Sequence, residues 1–222
     1  MIKTNIEKNK NLIIVFIFSL ILIIGTLVVD DYGVSSDESD QRHSGFIELN
    51  YVGKILLPNL TKKLSQGKTY TNLHSEEYNE KFSGHLLNSI GGILEISLDI
   101  KDRKDAFLLR HYMYFLIFFL SLISFYKICM LRFNDWKLSL LGVLFLLLSP
   151  RILSSSFYDP KDLPFLSLLL FSIHFGLIFF NKITLRNAIV FSFFNALVIS
   201  GIRIYGLISP ILILSSIVLY SI

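Results

Sequence analysis

Two short acidic stretches hold most of the groups in this chain that could do chemistry. SSDESDQR (Ser35 to Arg42) carries the neighbouring carboxylates Asp37 and Glu38. SSFYDPKDLPF (Ser155 to Phe165) carries Asp159, Lys161 and Asp162 in a turn with two prolines. A carboxylate beside an attacking hydroxyl accepts its proton when position and pKa suit. Asp159 and Asp162 are three residues apart, so one helical turn puts both on a common face, where they can share a divalent cation. Alternatively, one pairs with Lys161 while the other caps the next helix. Arg110, Arg151 and Arg203 add planar guanidinium groups, which bind phosphate oxygens in two-pronged fashion.

Each group also has a plainer role. Asp37 and Glu38 suit a solvated loop that opens an amphipathic helix, with Ser35 or Ser36 as N-cap. Asp162, ahead of LPFLSLLL, suits an N-cap with Pro164 in the first turn. Arginines at the ends of spanning helices commonly snorkel to the interface. Arg203, between Ile202 and Ile204 in GIRIYG, has the least solvent about it and is the best phosphate ligand of the three. His111 can assist locally. His43, His74 and His85 lack metal-ligand spacing, and His174 lies inside an apolar run as a packed polar residue. Asn59 opens an NLT sequon. No glycine-rich phosphate loop, paired-cysteine motif, GxSxG or HExxH pattern occurs, which disfavours soluble nucleotide-sugar chemistry.

The elements that must position these groups are membrane spans. Of 222 residues, 53% are hydrophobic and 20 are Phe, and mean hydropathy is +0.60. Apolar runs of about 18 residues or more mark spanning helices, because the hydrocarbon core is about 30 Å thick. The formal charge of +4 therefore says more about orientation than about nucleic acid, and no nucleic-acid partner is expected. The single Cys129 excludes a disulfide framework within the chain. Spans are predicted at about 11–29, 107–130, 138–153, 163–180, 187–201 and 207–222. The first run is too long for a signal-peptide core and has no small-residue cleavage site, so it reads as an uncleaved span.

Residues 30–106 form a long outer loop, in which Asp30 to Asp105 carry nine Lys/Arg against thirteen Asp/Glu. Within it, FIELNYVGKILL and HLLNSIGGILEISL have the spacing of amphipathic helices lying on the membrane or on the spans. Lys3, Lys8 and Lys10 place the amino terminus in the cytoplasm, and Arg132, Lys137, Lys182 and Arg186 fall in later cytoplasmic loops. Counting crossings then brings both acidic stretches and Arg203 to the same outer face. The last run stops while still apolar, as expected of an amino-terminal fragment.

These residues resemble the GT-C superfamily of polytopic glycosyltransferases, and within it protein O-mannosyltransferases and lipid A aminoarabinose transferases (glycosyltransferase family 39 and its relatives). The likeness rests on Asp37–Glu38 after the first span, on PRILSSSFYDPKDLPF (Pro150 to Phe165), and on GIRIYG. It implies an all-α transmembrane bundle and a polyprenyl- or dolichyl-phosphate-linked sugar donor. It further implies transfer with inversion to a protein, lipid or polysaccharide hydroxyl, at the extracytoplasmic face of a membrane, the bacterial inner membrane by preference. It makes Asp37 the catalytic base with Glu38 beside it. Asp162, with Asp159 and Lys161, falls to donor phosphate, metal or acceptor, and Arg203 to the donor phosphate. Asp159 departs from the Asn common there. Two other expectations compete. A transporter or flippase of a lipid-linked substrate would line a path with charges inside its spans, and a non-catalytic membrane assembly protein would use the acidic loop to hold a partner.

Overall fold

Nineteen consecutive residues, KNLIIVFIFSLILIIGTLV, are almost wholly apolar and have no proline. The computed structural model describes residues 9–59, 61 and 84–221, and there this run is helix α1 (Lys10–Val28), closed by a 3-10 turn at Val29–Asp31. Lys3, Lys8 and His74, which entered the sequence analysis, lie outside the described residues. All regular structure among the described residues is helical.

The polar segment after α1 contributes two helices that pack together. Helix α2 (Ser36–Leu56) starts after an extended N-cap residue, Ser35, and packs along α3 (Leu86–Ser97). Gly45 permits that approach, because a Cβ there would run into the Asn88 backbone. Both amphipathic segments expected from the sequence are thus helices, packed first on each other.

Helix α4 (Arg103–Phe133) is the spine. Asp102 caps it, accepting a hydrogen bond from the Lys104 N–H at 2.9 Å, and Asn134 ends it in the left-handed conformation at φ 49°. Its 31 residues reach about 46 Å at about 1.5 Å each, longer than a hydrocarbon core of about 30 Å is thick. Asp135 at once caps α5 (Trp136–Leu147), accepting from the Lys137 and Leu138 N–H groups at 2.7 and 3.1 Å. A tight helical hairpin results.

The third predicted span is not one straight helix. α5 stops at Leu147, and α6 (Pro150–Tyr158) leaves at a bend of 67°. Pro150 sits at the first position of α6, where its missing N–H costs nothing, and its ring forbids a continuous helix through Ser149. The chain then turns into α7 (Asp162–Asn181) and α8 (Leu185–Gly201), whose N-cap Thr184 accepts from the Asn187 N–H at 3.3 Å. A 3-10 turn (Ile204–Leu207) leads to α9 (Ile208–Ser221).

Among the described residues three helices, α1 with its terminal turn, α4 and α7, are long and apolar enough to cross a membrane, or four counting the bent α5–α6 pair as one span. Six spans are expected from the sequence, and the remaining two, 187–201 and 207–222, coincide with shorter apolar helices, Leu185–Gly201 and Ile204–Leu219. α8 has 17 residues and the described part of α9 has 14, which reach about 25 and about 21 Å at about 1.5 Å per residue. An apolar stretch in sequence does not reveal where a Pro will cut it.

α4 packs most extensively on α7 and also on α5 and α6, while α7 holds α8 and α9. The main core gathers Phe115, Phe118, Phe119 and Leu122 of α4 with Phe18, Val143, Leu147, Phe157 and Leu163. Leu87, Leu168, Val198 and Ile202 form a second cluster under the outer loop. Ser172 ties three helices together, bonding Asn195 at 2.9 Å and Ser209 at 2.7 Å.

Candidate functional site

The two acidic stretches meet. A cleft of about 300 Å³ is lined by Ser35, Ser36 and Asp37 on one wall, by residues 158–162 on a second, and by Arg203 on a third. Five of the residues singled out from the sequence therefore converge: Asp37, Asp159, Lys161, Asp162 and Arg203.

Each wall is built by local hydrogen bonds. On the first, the Ser35 N–H donates to Glu38 Oε1 at 2.8 Å, so Glu38 satisfies a donor that the helix start would leave orphaned. On the second, Asp159 Oδ1 accepts from the Lys161 and Asp162 N–H groups, both at 2.8 Å. Lys161 occupies the N-cap position of α7, and Asp159, rather than Asp162, supplies the side-chain acceptor at its start; Asp162 stands in the first helical turn with Pro164. On the third, Arg203 is extended, its N–H bonds the Val198 carbonyl at 3.0 Å, and its carbonyl accepts from Gly206 at 3.0 Å. Arg203 Nη2 reaches Asp162 Oδ1 at 2.6 Å, tying the third wall to the second.

Two packing devices hold the walls in register. Tyr32 stacks on Phe157 with centroids 4.5 Å apart, and Phe157 stacks on Phe115 at 5.1 Å. These three rings join the end of α1, α6 and α4, and offset stacks of this kind add about 0.5–1.5 kcal/mol each beyond area burial. Gly84 meets Gly201 backbone to backbone, with the Gly84 N–H on the Ile202 carbonyl at 3.2 Å. The outer loop so braces the residue just before Arg203.

Below the aromatic stack lies an apolar groove of about 230 Å³, lined by Ile21, Ile24, Gly25, Leu147, Leu153 and neighbours and sharing Tyr32 and Phe157 with the stack. The polar cleft above carries three carboxylates and two cations. Burial pushes the Asp159 carboxyl above the ordinary carboxylate range; its two backbone hydrogen bonds pull the other way, Asp162 raises it further, and Arg203 lowers it.

Three residues expected at the site are elsewhere. Glu38 is fully buried beneath the cleft, its Oε2 against His111 Nε2 at 2.8 Å. Arg110 is fully buried against Glu95, which also takes a two-pronged bond from Arg42 at 3.0 and 2.7 Å. Its guanidinium therefore holds α4 to α3 and has no access to a phosphate in the cleft. Arg151 is exposed on α6, outside the cleft lining. Conversely Tyr158 lines the cleft, and Tyr32 and Glu95 help to build it, without having been singled out; Ser35, offered as an N-cap, lines it, and His111, offered as a local helper, holds Glu38. Arg110 and His111 inside an apolar run, with Glu95 the lone acid of α3, were the available signal.

One oxygen of Asp159 is taken by two N–H groups and one of Asp162 by Arg203, and no three-membered His/Cys/Asp/Glu cluster forms among the described residues. Comparison with protein-family models, with curated proteins and with solved structures finds no match to this chain.

Proposed function

We propose that the cleft is the site of a membrane glycosyltransferase that moves a sugar from a polyprenyl- or dolichyl-phosphate donor to a hydroxyl of a protein, lipid or polysaccharide. One observation carries this: Asp37, Lys161, Asp162 and Arg203, drawn from three distant parts of the chain, line one polar cleft set over an apolar groove. An amphiphile with a phosphorylated head fits that combination of charge and hydrocarbon.

In the proposed reaction Asp37 accepts the proton of the acceptor hydroxyl. The oxygen bonds to the anomeric carbon from the face opposite the phosphate, and the carbon–oxygen bond to the phosphate breaks, its electron pair leaving with the lipid phosphate. Inversion follows from this single displacement. Arg203 and Lys161 stand where charge grows on the departing phosphate, and such preorganised cations act more strongly at a partly dry membrane edge than in water. No step is routed through a metal. The cleft opens to the extracytoplasmic side in this proposal.

The test is mass spectrometry of polyprenyl-linked sugars and of cell-envelope glycans, with the intact gene and with Asp37→Asn. Loss of one glycan with accumulation of its lipid-linked sugar supports the proposal. Substrate flux across the membrane without covalent transfer would point instead to a transporter.

A further inference from the structure

Asp37 and Glu38 are adjacent in sequence, yet only Asp37 lines the cleft. Glu38 is 1% exposed and uses both oxygens inward: Oε1 holds the Ser35 N–H at 2.8 Å, and Oε2 meets His111 Nε2 at 2.8 Å. His111, itself 2% exposed, lies 73 positions away on α4. Its Nδ1 has no hydrogen-bond partner. That asymmetry assigns the ring's proton to Nε2, donating to the Glu38 carboxylate, since a buried N–H at Nδ1 would go unsatisfied. The Arg110 guanidinium, one residue before His111 and paired with Glu95, also acts on Glu38 electrostatically. Elsewhere at the amino end of α2, Ser36, Asp37 and Asp40 are exposed, and half-buried Ser39 accepts a hydrogen bond from Arg103 Nη2 at 2.8 Å, a second link to α4 on the outer side of the turn from Glu38.

We infer that His111 is a positioning residue: by holding Glu38 it pins the first turn of α2 to the long helix α4, and so fixes where the Asp37 carboxylate stands in the cleft. The chemical purpose of this rests on the sugar-transfer proposal, but the positioning is measurable without it. The chain suits the experiment, because its single cysteine, Cys129, is buried.

The test uses the full chain in lipid nanodiscs with Cys129→Ala and spin labels at Ser36→Cys and Leu185→Cys, both exposed positions. A control pair at Leu131→Cys and Ile204→Cys reports on the bundle. The parent should give one narrow distance distribution for each pair. His111→Leu should broaden the 36/185 distribution about two-fold or more and leave the control pair unchanged. His111→Gln, whose amide N–H still donates to Glu38, should restore the narrow peak. In a Glu38→Ala background, itself broadened, His111→Leu should add nothing, as expected if one acts through the other. Equal widths in the parent and His111→Leu would overturn the inference. So would equal broadening in the Leu and Gln variants, or broadening of both pairs together, which would mean general packing. In a transfer assay His111→Leu should lower kcat while leaving KM for the donor near the parent value. If the distances behave as expected and Asp37→Asn transfers sugar normally, the catalytic proposal is overturned and the positioning stands.

Discussion

Two clusters of charged groups meet at the neighbours Asp37 and Glu38, one open and one enclosed. In the cleft, Arg203 pairs with Asp162 while 39% and 64% of those side chains remain exposed. Under α2, the Glu38–His111 and Arg110–Glu95 pairs are almost wholly enclosed. The difference teaches that exposure, not residue type, divides a site from its foundation. An exposed pair is worth about 0–1 kcal/mol and can be exchanged for a ligand's charge at little cost. A buried pair resists exchange, because removing one partner strands the other at about 3–5 kcal/mol.

The sharpest way to break that comparison is to change the two neighbours separately. Asp37→Asn should lower transfer by about 10²–10⁴-fold, the usual contribution of a general base, with the melting temperature near that of the parent. Glu38→Ala should instead lose about 3 kcal/mol of stability, visible as a fall in the thermal midpoint in detergent. If Asp37→Asn destabilised more than Glu38→Ala, the division into site and foundation would be wrong.

The two arginines should divide in the same way. Arg110→Met should cost several kcal/mol, about the penalty of a broken buried pair, although Arg42 remains on Glu95. Arg203→Gln should cost no more than about 1 kcal/mol while weakening protection of the cleft by a polyprenyl phosphate in a thermal-shift assay. Gly84→Ala probes the brace behind Arg203. Its new methyl would meet the Gly201 backbone, so a loss of about 1–3 kcal/mol is expected from overpacking.

The smallest effect concerns pH. The Asp159 carboxyl is raised by burial, so the folded state binds its proton more tightly than the unfolded chain. Stability from this group is full below the unfolded carboxylate value of about 3.9 and falls as pH rises to the raised folded value, above which the cost is constant. Asp159→Asn keeps an acceptor for the two N–H groups and removes that cost. The variant should be slightly more stable than the parent at pH 7 and should converge with it near pH 3; thermal scans over that range check the sign.

Much of this was legible in the sequence. The apolar runs marked α1, α4 and α7, and Asp159, Lys161, Asp162 and Arg203 stood out as charges out of place in an oily chain. Glu38 was not legible as a buried residue, because successive helical side chains point about 100° apart and adjacency to Asp37 hid the difference. Arg110 misled for a related reason. Its place near the end of a span fits snorkelling or a phosphate equally, and only the fold of the outer loop brings Glu95 over it. The bend at Pro150 was written in the residue itself, yet the hydrophobicity of residues 138–153 masked it. That Asp159 rather than Asp162 supplies the acceptor at the start of α7 depends on turn geometry that two candidate aspartates leave open.

Single cysteines at positions 37 and 162, in a chain lacking Cys129, test the shared cleft most directly when sealed vesicles are treated with a membrane-impermeant maleimide from each side. Both positions are predicted to react from one and the same side, and each to be shielded by added polyprenyl phosphate. Reaction from opposite sides would contradict the cleft and everything built on it.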